Sequence, residues 1–228
     1  MQPVVHLQNL GSKPYYETWR YQQSLQQELI RRKRERNNDD SAGYLLFVEH
    51  PNVYTIGKSG KWENLIFTND TLVQKGIGVV KTDRGGDITF HGPGQIVVYP
   101  VLDLEQFRVG VARYIEKLEE VIIRTAAGFG IIARRIPSRT GVWVDNNKLC
   151  ALGIKCSRFV CMHGFALNAY TDLDFFHGII PCGIDDGGVT SFEKLLENPP
   201  PADVIRNRIV IEFEEVFGCS ITPMPADS

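Results

Sequence analysis

Residues 141–191 read GVWVDNNKLCALGIKCSRFVCMHGFALNAYTDLDFFHGIIPCGIDDGGVTS and contain three predicted strands close together. Gly141–Val144 and Lys148–Ile154 are predicted strands, and Asp145-Asn146-Asn147 between them is a turn signal. Gly164–Tyr170 is predicted to be a third strand. Strands that follow one another without an intervening helix are typical of an antiparallel or mixed sheet.

The rest of the chain adds amphipathic helices and further strands. Helices are predicted at Tyr15–Arg36, Val111–Gly128 and Ala202–Phe217, where apolar residues recur at helical spacing. Further strands are predicted at Val4–Leu10, as an edge strand, and at Tyr44–Glu49, Gly76–Thr82, Gln95–Leu104 and Ile131–Ile136. We therefore predict one α/β (α+β) domain over residues 1–228, with a mixed, largely antiparallel sheet and helices packed on it.

The composition excludes several classes of partner. The 228 residues are 43% hydrophobic, which is enough for one sizeable core, and the net charge is −2. A chain with this charge carries no signal for nucleic acid or a membrane surface. Its first residues lack a signal-peptide or transit-peptide pattern. We expect a cytoplasmic protein with no nucleic-acid or membrane partner.

Five cysteines, an odd number in a long chain, do not form the pattern of a disulfide framework, so we expect unpaired cysteines. Cys150, Cys156, Cys161 and His163 are spaced C-x5-C-x4-C-x-H, which matches no paired zinc-ligand pattern. We therefore predict no metal site. Cys150 lies in an apolar strand and Cys219 follows a helix end, so both are predicted to be structural.

Cys182 is the strongest candidate nucleophile. It lies between Pro181 and Gly183, so its thiol can stand exposed next to free backbone N–H groups. A thiol is mostly protonated at neutral pH and needs a partner that accepts its proton. That partner could be one of the histidines at 91, 163 and 177, or Lys148 at the start of an apolar strand. The residue types alone leave this choice open.

The segment RGGDITFHGPGQ, from Arg84 to Gln95, holds four glycines beside one arginine and one histidine. Glycine lets the backbone approach a ligand closely, so this segment could bind a phosphate-bearing group or form the wall of an acyl pocket. The structural alternative is a tight hairpin with a buried histidine. Polar, glycine-rich loops seldom serve packing alone, which favours a functional role.

The chain resembles the octanoyltransferase family of lipoate biosynthesis, also called lipoate-protein ligase B. The resemblance covers nearly the whole chain, and several motifs in the same order carry it: Glu49-His50-Pro51, Val53-Tyr54-Thr55-Ile56-Gly57, Arg84–Gln95, Gly141-Val142-Trp143, Lys148–Gly153, His163–Asn168, Pro181-Cys182-Gly183-Ile184 and Val189-Thr190-Ser191. It implies a fold like that of the biotin and lipoate protein ligases.

The resemblance also implies the site. The family's catalytic cysteine falls on Cys182 and its catalytic lysine on Lys148, with no cofactor and no metal. The family's acyl pocket falls on residues of three segments: Arg84, Gly85, Gly86, Asp87, Ile88, Thr89, Phe90 and His91; Ala151, Leu152 and Gly153; and Gly164, Phe165 and Ala166. Cys161 is a departure, because relatives more often carry Thr or Ser there.

The activity implied is transfer of an octanoyl (or lipoyl) group from acyl carrier protein to a specific lysine. The acceptors would be lipoyl domains of 2-oxoacid dehydrogenases and the glycine-cleavage H protein, and we expect a monomer. Two alternatives remain at this point. One is an ATP-dependent lipoate or biotin protein ligase of the same fold, and the other is a non-catalytic module that binds lipoyl domains.

Overall fold

The computed structural model describes residues 2–35, 41–180 and 187–224. The helices of this part of the chain are α1 (Tyr15–Arg34), α2 (Asn69–Gln74), α3 (Val111–Ala127), α4 (Phe192–Leu195) and α5 (Ala202–Phe217). The strands are β1 (Val4–Ser12), β2 (Ser41–Glu49), β3 (Val53–Ile56), β4 (Gly78–Lys81), β5 (Ile88–His91), β6 (Gln95–Asp103), β7 (Arg134–Ile136), β8 (Arg139–Val144), β9 (Asn147–Ser157), β10 (Val160–Asn168), β11 (Gly188–Val189) and β12 (Ser220–Pro223).

The strands form one large and one small sheet. The large sheet has the order β12-β1-β2-β6-β10-β9-β8-β7, with β11 paired to β9. Neighbours from β2 to β7 along this order are antiparallel, whereas β1 pairs in parallel with both β2 and β12. The small sheet has the order β4-β3-β5. The predicted fold class, a mixed and largely antiparallel sheet with packed helices, is confirmed.

Helices cover both faces of the large sheet. On one face α3 and α5 pack over the strands and bury Tyr114, Leu118 and Phe213 completely. On the other face α1 contributes the buried Leu25 and Leu29. A three-layer arrangement of helix, sheet and helices buries the apolar residues of both sheet faces. No helix in the described ranges is long and apolar enough to cross a membrane.

The helix predictions rest on periodicity, and the structure bears them out. In α3, Leu118, Val121 and Ile122 lie on one fully buried stripe, as the 3.6-residue period requires. α5 spans the predicted residues and ends at Gly218, which takes the left-handed conformation with φ of 66°. α1 begins at the predicted residue and ends at Arg34, with Glu35 as its C-cap, before the predicted end at Arg36.

The predicted N-terminal strand is present, but its predicted position at the edge of the sheet is wrong. β1 lies between β2 and β12, because Ser220–Pro223 pairs in parallel with the start of β1 and covers its outer side. Sequence separation hid this pairing, since more than 200 residues lie between the two strands. The segment from Arg84 to Gln95 is also more regular than predicted, because residues 88–91 form β5 against β3 in the small sheet.

The hairpin formed by β9 and β10 was not predicted from the sequence. Arg158 and Phe159 both have positive φ, 53° and 63°, and form a two-residue turn between β9 and β10. Such turns favour Asn and Gly, so an Arg-Phe pair gives no turn signal. The turn fixes the register in which the Cα atoms of Gly153 and Gly164 stand opposite each other.

Candidate active site

A cavity of about 300 Å³ opens on the face of the large sheet that carries α1. Its walls come from α1, β5, β6, β8, β9, β10 and β11, and Lys148 lies among its lining residues. Apolar residues of β6, β9 and β10, namely Val97, Ala151, Leu152 and Ala166, contribute to the lining. A concave, mostly apolar site with a few placed polar groups is the usual form of a small-molecule pocket.

Lys148 reaches this cavity because the β8–β9 ladder contains a register shift. Val142 pairs with Cys150, but the next residue, Trp143, pairs with Lys148. Leu149 and Cys150 are therefore both buried in the core under α3 and α5. Strict alternation would have placed Lys148 on the same side as Cys150. The bulge instead leaves Lys148 on the cavity face together with Ala151.

The chain that follows the Pro181–Asp186 segment is tied to the strand that carries Lys148. In β11, Gly188 pairs with Asn147 and Val189 pairs with Lys148. The backbone N–H of Thr190 donates to the carbonyl oxygen of Lys148 at 3.0 Å. Val189 lines the cavity beside Lys148. Cys182, the predicted nucleophile, lies outside the described residues.

Arg84 is a buried cation that braces the cavity wall. Its Nε and Nη2 donate to the hydroxyl of Thr55, at 3.2 and 2.9 Å, and its Nη1 donates to the carbonyl oxygen of Gly85 at 3.0 Å. Burial lowers the pKa of Arg84, but an arginine still remains charged at neutral pH. Arg84 therefore holds the glycine-rich segment against β3.

His91 is buried and neutral. Its Nδ1 lies 2.8 Å from Oε1 of Gln95, and its ring stacks on Tyr15 with centroids 5.7 Å apart. Burial, with the nearby His50 and Arg84, lowers the pKa of His91 well below its usual value. Because its ring packs on Tyr15 and its Nδ1 is hydrogen-bonded to Gln95, His91 forms part of the cavity wall and is not placed as a base.

His163 enters the cavity wall through an unusual backbone conformation. Its φ is 60°, in the left-handed region, and its ring contacts Trp19 and Tyr99 on the α1 face. Nε2 of His163 bonds to Asp83 at 2.9 Å, and Lys155 bonds to the same carboxylate at 2.6 Å. Desolvation lowers the pKa of His163 although Asp83 opposes this shift. The carboxylate fixes the ring through its Nε2, and Nδ1 of His163 is buried.

Most of the predicted pocket residues lie together in the cavity wall. These are Arg84, Gly86, Asp87, Ile88, Thr89, His91, Ala151, Leu152, Gly153, Gly164, Phe165 and Ala166. Gly85 and Phe90, which were also predicted, do not line this cavity. The N–H of Gly85 bonds to Ile154 at 2.9 Å, and Phe90 packs in the small sheet, stacked on Phe175 at 4.8 Å.

Several wall residues were not predicted from the sequence: Tyr15, Val97, Tyr99, Ser138, Arg139, Thr140, Asn168, Phe176 and Val189. Gln95, the last residue of the predicted wall segment, and His163, predicted only as a candidate proton acceptor, also line the cavity. Gln95 and Asn168 are hydrogen-bonded to each other at 2.9 Å across the wall. Asn168 is the last residue of a motif that carries the family resemblance, and this was the available signal for it. For the tip of β8, residues 138–140, the sequence offered none.

The cysteines other than Cys182 have structural environments. Cys150 is fully buried, and burial raises the pKa of its thiol well above the usual value. Cys219 is also buried, with its pKa raised to about 12 by desolvation. Cys156 and Cys161 stand opposite each other across β9 and β10 and form a disulfide, so the expectation of unpaired cysteines was wrong for this pair. Within the described ranges no group of three or more His, Cys, Asp or Glu could hold a metal ion.

Comparison with known proteins shows which family this chain belongs to. The lipoyl protein ligase A/B catalytic domain model matches residues 14–214. Octanoyltransferase from Flavobacterium psychrophilum is 45% identical, covering 97% of this chain and 100% of the relative. Octanoyltransferase from Bacteroides thetaiotaomicron is 42% identical, covering 88% of this chain and 89% of the relative.

Solved structures agree on the fold. A lipoate-protein ligase A bound with ATP superposes with a TM-score of 0.72 at 16% identity, over 98% of this chain and 89% of that one. A putative lipoate protein ligase from T. acidophilum gives the same TM-score and identity, over 98% and 88%. The fold and its cavity thus define a protein of the lipoate-protein-ligase class. The chain belongs to the octanoyltransferases of the lipoyl protein ligase A/B catalytic domain family. The predicted family and the predicted enzyme class, acyltransferase, are confirmed.

Proposed function

We propose that this protein takes an octanoyl group from octanoyl-acyl carrier protein and transfers it to a specific lysine of lipoyl domains and of the glycine-cleavage H protein. The reaction runs through a thioester on Cys182, with Lys148 as the base. One observation carries the proposal: Lys148 lies in the wall of a partly apolar cavity, and the chain following Cys182 pairs with Lys148 through Val189.

The cavity suits a medium-length acyl chain. Val97, Ala151, Leu152 and Ala166 offer apolar surface, and burial of an alkyl chain against such surface is favourable. The guanidinium of Arg84 donates to Thr55 and Gly85, so these N–H groups are satisfied within the protein when an alkyl chain occupies the cavity.

In the first half-reaction Lys148 accepts the proton of the Cys182 thiol. The thiolate attacks the carbonyl carbon of the donor thioester, and backbone N–H groups near Gly153 or Cys182 hold the oxyanion. Collapse breaks the bond between the carbonyl carbon and the carrier's sulfur. The carrier thiolate leaves with the proton that Lys148 had taken, and the octanoyl group remains on Cys182.

In the second half-reaction the neutral amine of the acceptor lysine attacks the Cys182 thioester. Lys148 accepts a proton from that amine and returns it to the Cys182 sulfur as the thioester bond breaks. Exchange of one thioester for another is nearly balanced in free energy, and formation of an amide from a thioester is downhill. The reaction therefore requires no ATP.

The acceptor class has support among the structural relatives. A bipartite lipoate protein ligase from Thermoplasma acidophilum, described with its E2 lipoyl domain, has a TM-score of 0.71 and 16% identity over 98% of this chain and 86% of that one. That likeness shows the fold, and the name of the octanoyltransferase relatives indicates that the transferred acyl group is octanoyl. We infer that lipoyl domains of 2-oxoacid dehydrogenases are acceptors here as well.

Intact mass spectrometry tests the proposal directly. Wild type mixed with octanoyl-acyl carrier protein should gain one octanoyl group, and a lipoyl domain added next should remove it. Cys182→Ala should gain none, Lys148→Met should gain it at a rate lower by at least about 100-fold, and Lys194→Met, at an exposed position in α4, should behave as wild type.

The same assay separates the alternatives. Full transfer by Cys182→Ala would contradict the covalent route. Transfer from free octanoate and ATP at the rate of the carrier-bound donor would instead indicate an ATP-dependent ligase. Binding of lipoyl domains without any acyl-enzyme or product would indicate a non-catalytic binding module.

A further inference from the structure

Trp143 contacts the amine of Lys148. The two residues are paired across β8 and β9, and Nζ of Lys148 lies 4.7 Å from the centroid of the indole ring. The Trp143 side chain is fully buried. A cation within about 6 Å of an aromatic ring is attracted by the ring's quadrupole, most strongly for Trp and where water is excluded.

The indole ring is itself held in place. Its Nε1–H donates to the carbonyl oxygen of Arg139 at 3.2 Å, and the guanidinium of Arg139 lies 5.9 Å from the ring centroid. β8, the strand that carries Trp143, is anchored as well, because the N–H of Gly141 donates to the buried carboxylate of Glu119 at 2.9 Å. The ring therefore presents a fixed surface to the Lys148 amine.

Gly141, on the same strand as Trp143, is required by its backbone surroundings and lies beside the stem of Lys148. Its φ is 125°, and a Cβ atom there would lie 2.7 Å from the carbonyl oxygen of Cys150. The same Cβ would stand 3.5 and 3.7 Å from Cε and Cδ of Lys148. The stem of Lys148 thus runs past the bare backbone of Gly141 to reach the Trp143 ring.

We propose that Trp143 is a positioning residue: it holds the Lys148 amine at the cavity wall and stabilises the ammonium that forms when this amine takes a proton. The inference rests on the proposed function, in which the Cys182 thiol gives its proton to Lys148. On β8, Trp143 receives the charged end of the lysine, and Gly141, two residues before it, lies beside the lysine stem.

Removal of the ring should act on proton transfer more than on substrate binding. Without the indole the ammonium is less stable and less fixed, so the thiolate beside it is less favoured. The Cys182 thiol should then ionise at higher pH. A contribution between that of an exposed and that of a fully desolvated cation–π contact corresponds to a shift of about 0.5 to 1 pH unit.

The experiment measures alkylation of Cys182 by iodoacetamide against pH, read by mass spectrometry of the peptide that contains it, together with kcat and KM for the octanoyl donor. In Trp143→Leu the midpoint of alkylation should rise by about 0.5 to 1 unit. Its kcat should fall about 3- to 10-fold, with KM within about twofold of wild type. Trp143→Phe keeps an aromatic face, so its alkylation midpoint and its kcat should lie between those of wild type and Trp143→Leu.

Phe213→Leu is the matched control, since Phe213 is also fully buried and aromatic but lies in α5. It should lose stability as Trp143→Leu does while keeping the wild-type alkylation midpoint. A folded Trp143→Leu protein with the wild-type midpoint and kcat would overturn the proposal. So would an equal shift in Phe213→Leu.

Lys148→Met separates this inference from the function on which it rests. If Lys148→Met raises the alkylation midpoint and Trp143→Leu does not, only the positioning role of Trp143 fails. If Lys148→Met leaves the midpoint and the transfer rate unchanged, the Lys148–Cys182 pairing of the proposed function fails, and the role of Trp143 fails with it.

Discussion

Gly153 and Gly164 stand directly opposite each other in the ladder between β9 and β10, and neither position has space for a methyl group. A Cβ at Gly153 would lie 2.7 Å from the carbonyl oxygen of Gly85, and one at Gly164 would lie 2.3 Å from that of Val98. Backbone atoms cannot yield as the end of a flexible side chain can. Both glycines are thus fixed by the close approach of neighbouring backbone at the cavity wall.

Gly153→Ala should displace the segment at Gly85 and Arg84 that closes the cavity. Overpacking of this kind costs about 1 to 3 kcal/mol in the free energy of unfolding. Acylation should slow as well, because the displaced segment carries wall residues. Urea unfolding and the rate of acyl-enzyme formation measure the two effects.

Gly78→Ala is the control for that change, because its Cβ would have no neighbour closer than 3.8 Å. Stability and activity of Gly78→Ala should remain close to wild type. A Gly153→Ala protein as stable as wild type would show that the Gly85 backbone can move at little cost.

Lys148→Arg should fail to restore activity although it keeps the positive charge. Arginine cannot be deprotonated in proteins, so it cannot accept the proton of a thiol. Loss of a general base typically costs between about 100- and 10,000-fold in rate. Single-turnover acylation followed by mass spectrometry measures this, with Lys194→Arg as an exposed control. Acylation by Lys148→Arg within about threefold of wild type would remove Lys148 from the role of base.

Arg84→Lys should weaken both the fold and the binding of the acyl donor. The guanidinium bonds to Thr55 and Gly85 at once, and a single ammonium cannot reproduce this fork. Loss of hydrogen bonds from a buried charged group costs about 1.5 to 3 kcal/mol. Thermal unfolding and KM for the donor should both change. Arg31→Lys, at a side chain 62% exposed, should change neither.

Stability should fall as the pH drops, in part through His50. Its Nδ1 lies 2.7 Å from the carbonyl oxygen of Lys13 and its Nε2 lies 2.8 Å from the Tyr99 hydroxyl. Burial lowers the pKa of His50 to about 4. The unfolded chain, with a pKa of about 6.5, binds this proton first. Stability from His50 is therefore complete above pH of about 6.5 and is lost as the pH falls towards about 4.

His50→Gln tests that sign. Its free energy of unfolding should depend less steeply on pH between about 6.5 and 4, by up to about one proton. His177→Gln, at an exposed side chain, should keep the wild-type slope. An unchanged slope in His50→Gln would mean that His50 does not take up a proton on unfolding in this range.

The helices and most strands could be predicted from local pattern. α3 and α5 follow the 3.6-residue period, and a glycine comes directly after the C-terminal end of each helix. Such features depend on residues within one or two turns of each other, which the sequence displays directly. The pairing of β1 with β12 depends on contacts across the whole chain, and no local pattern shows it.

Periodicity and motif order along the chain were enough to predict the class of fold, the family and the residues that carry the resemblance. Tertiary structure decided how those residues face one another. The register shift between β8 and β9 puts Lys148 on the cavity side, and the left-handed backbone at His163 turns that ring towards Trp19. If this bulge is overlooked, strict alternation along β9 places Lys148 on the wrong face of the sheet. Bulges and positive φ angles are set by packing between strands, and for this reason only the folded chain showed Lys148 against Trp143.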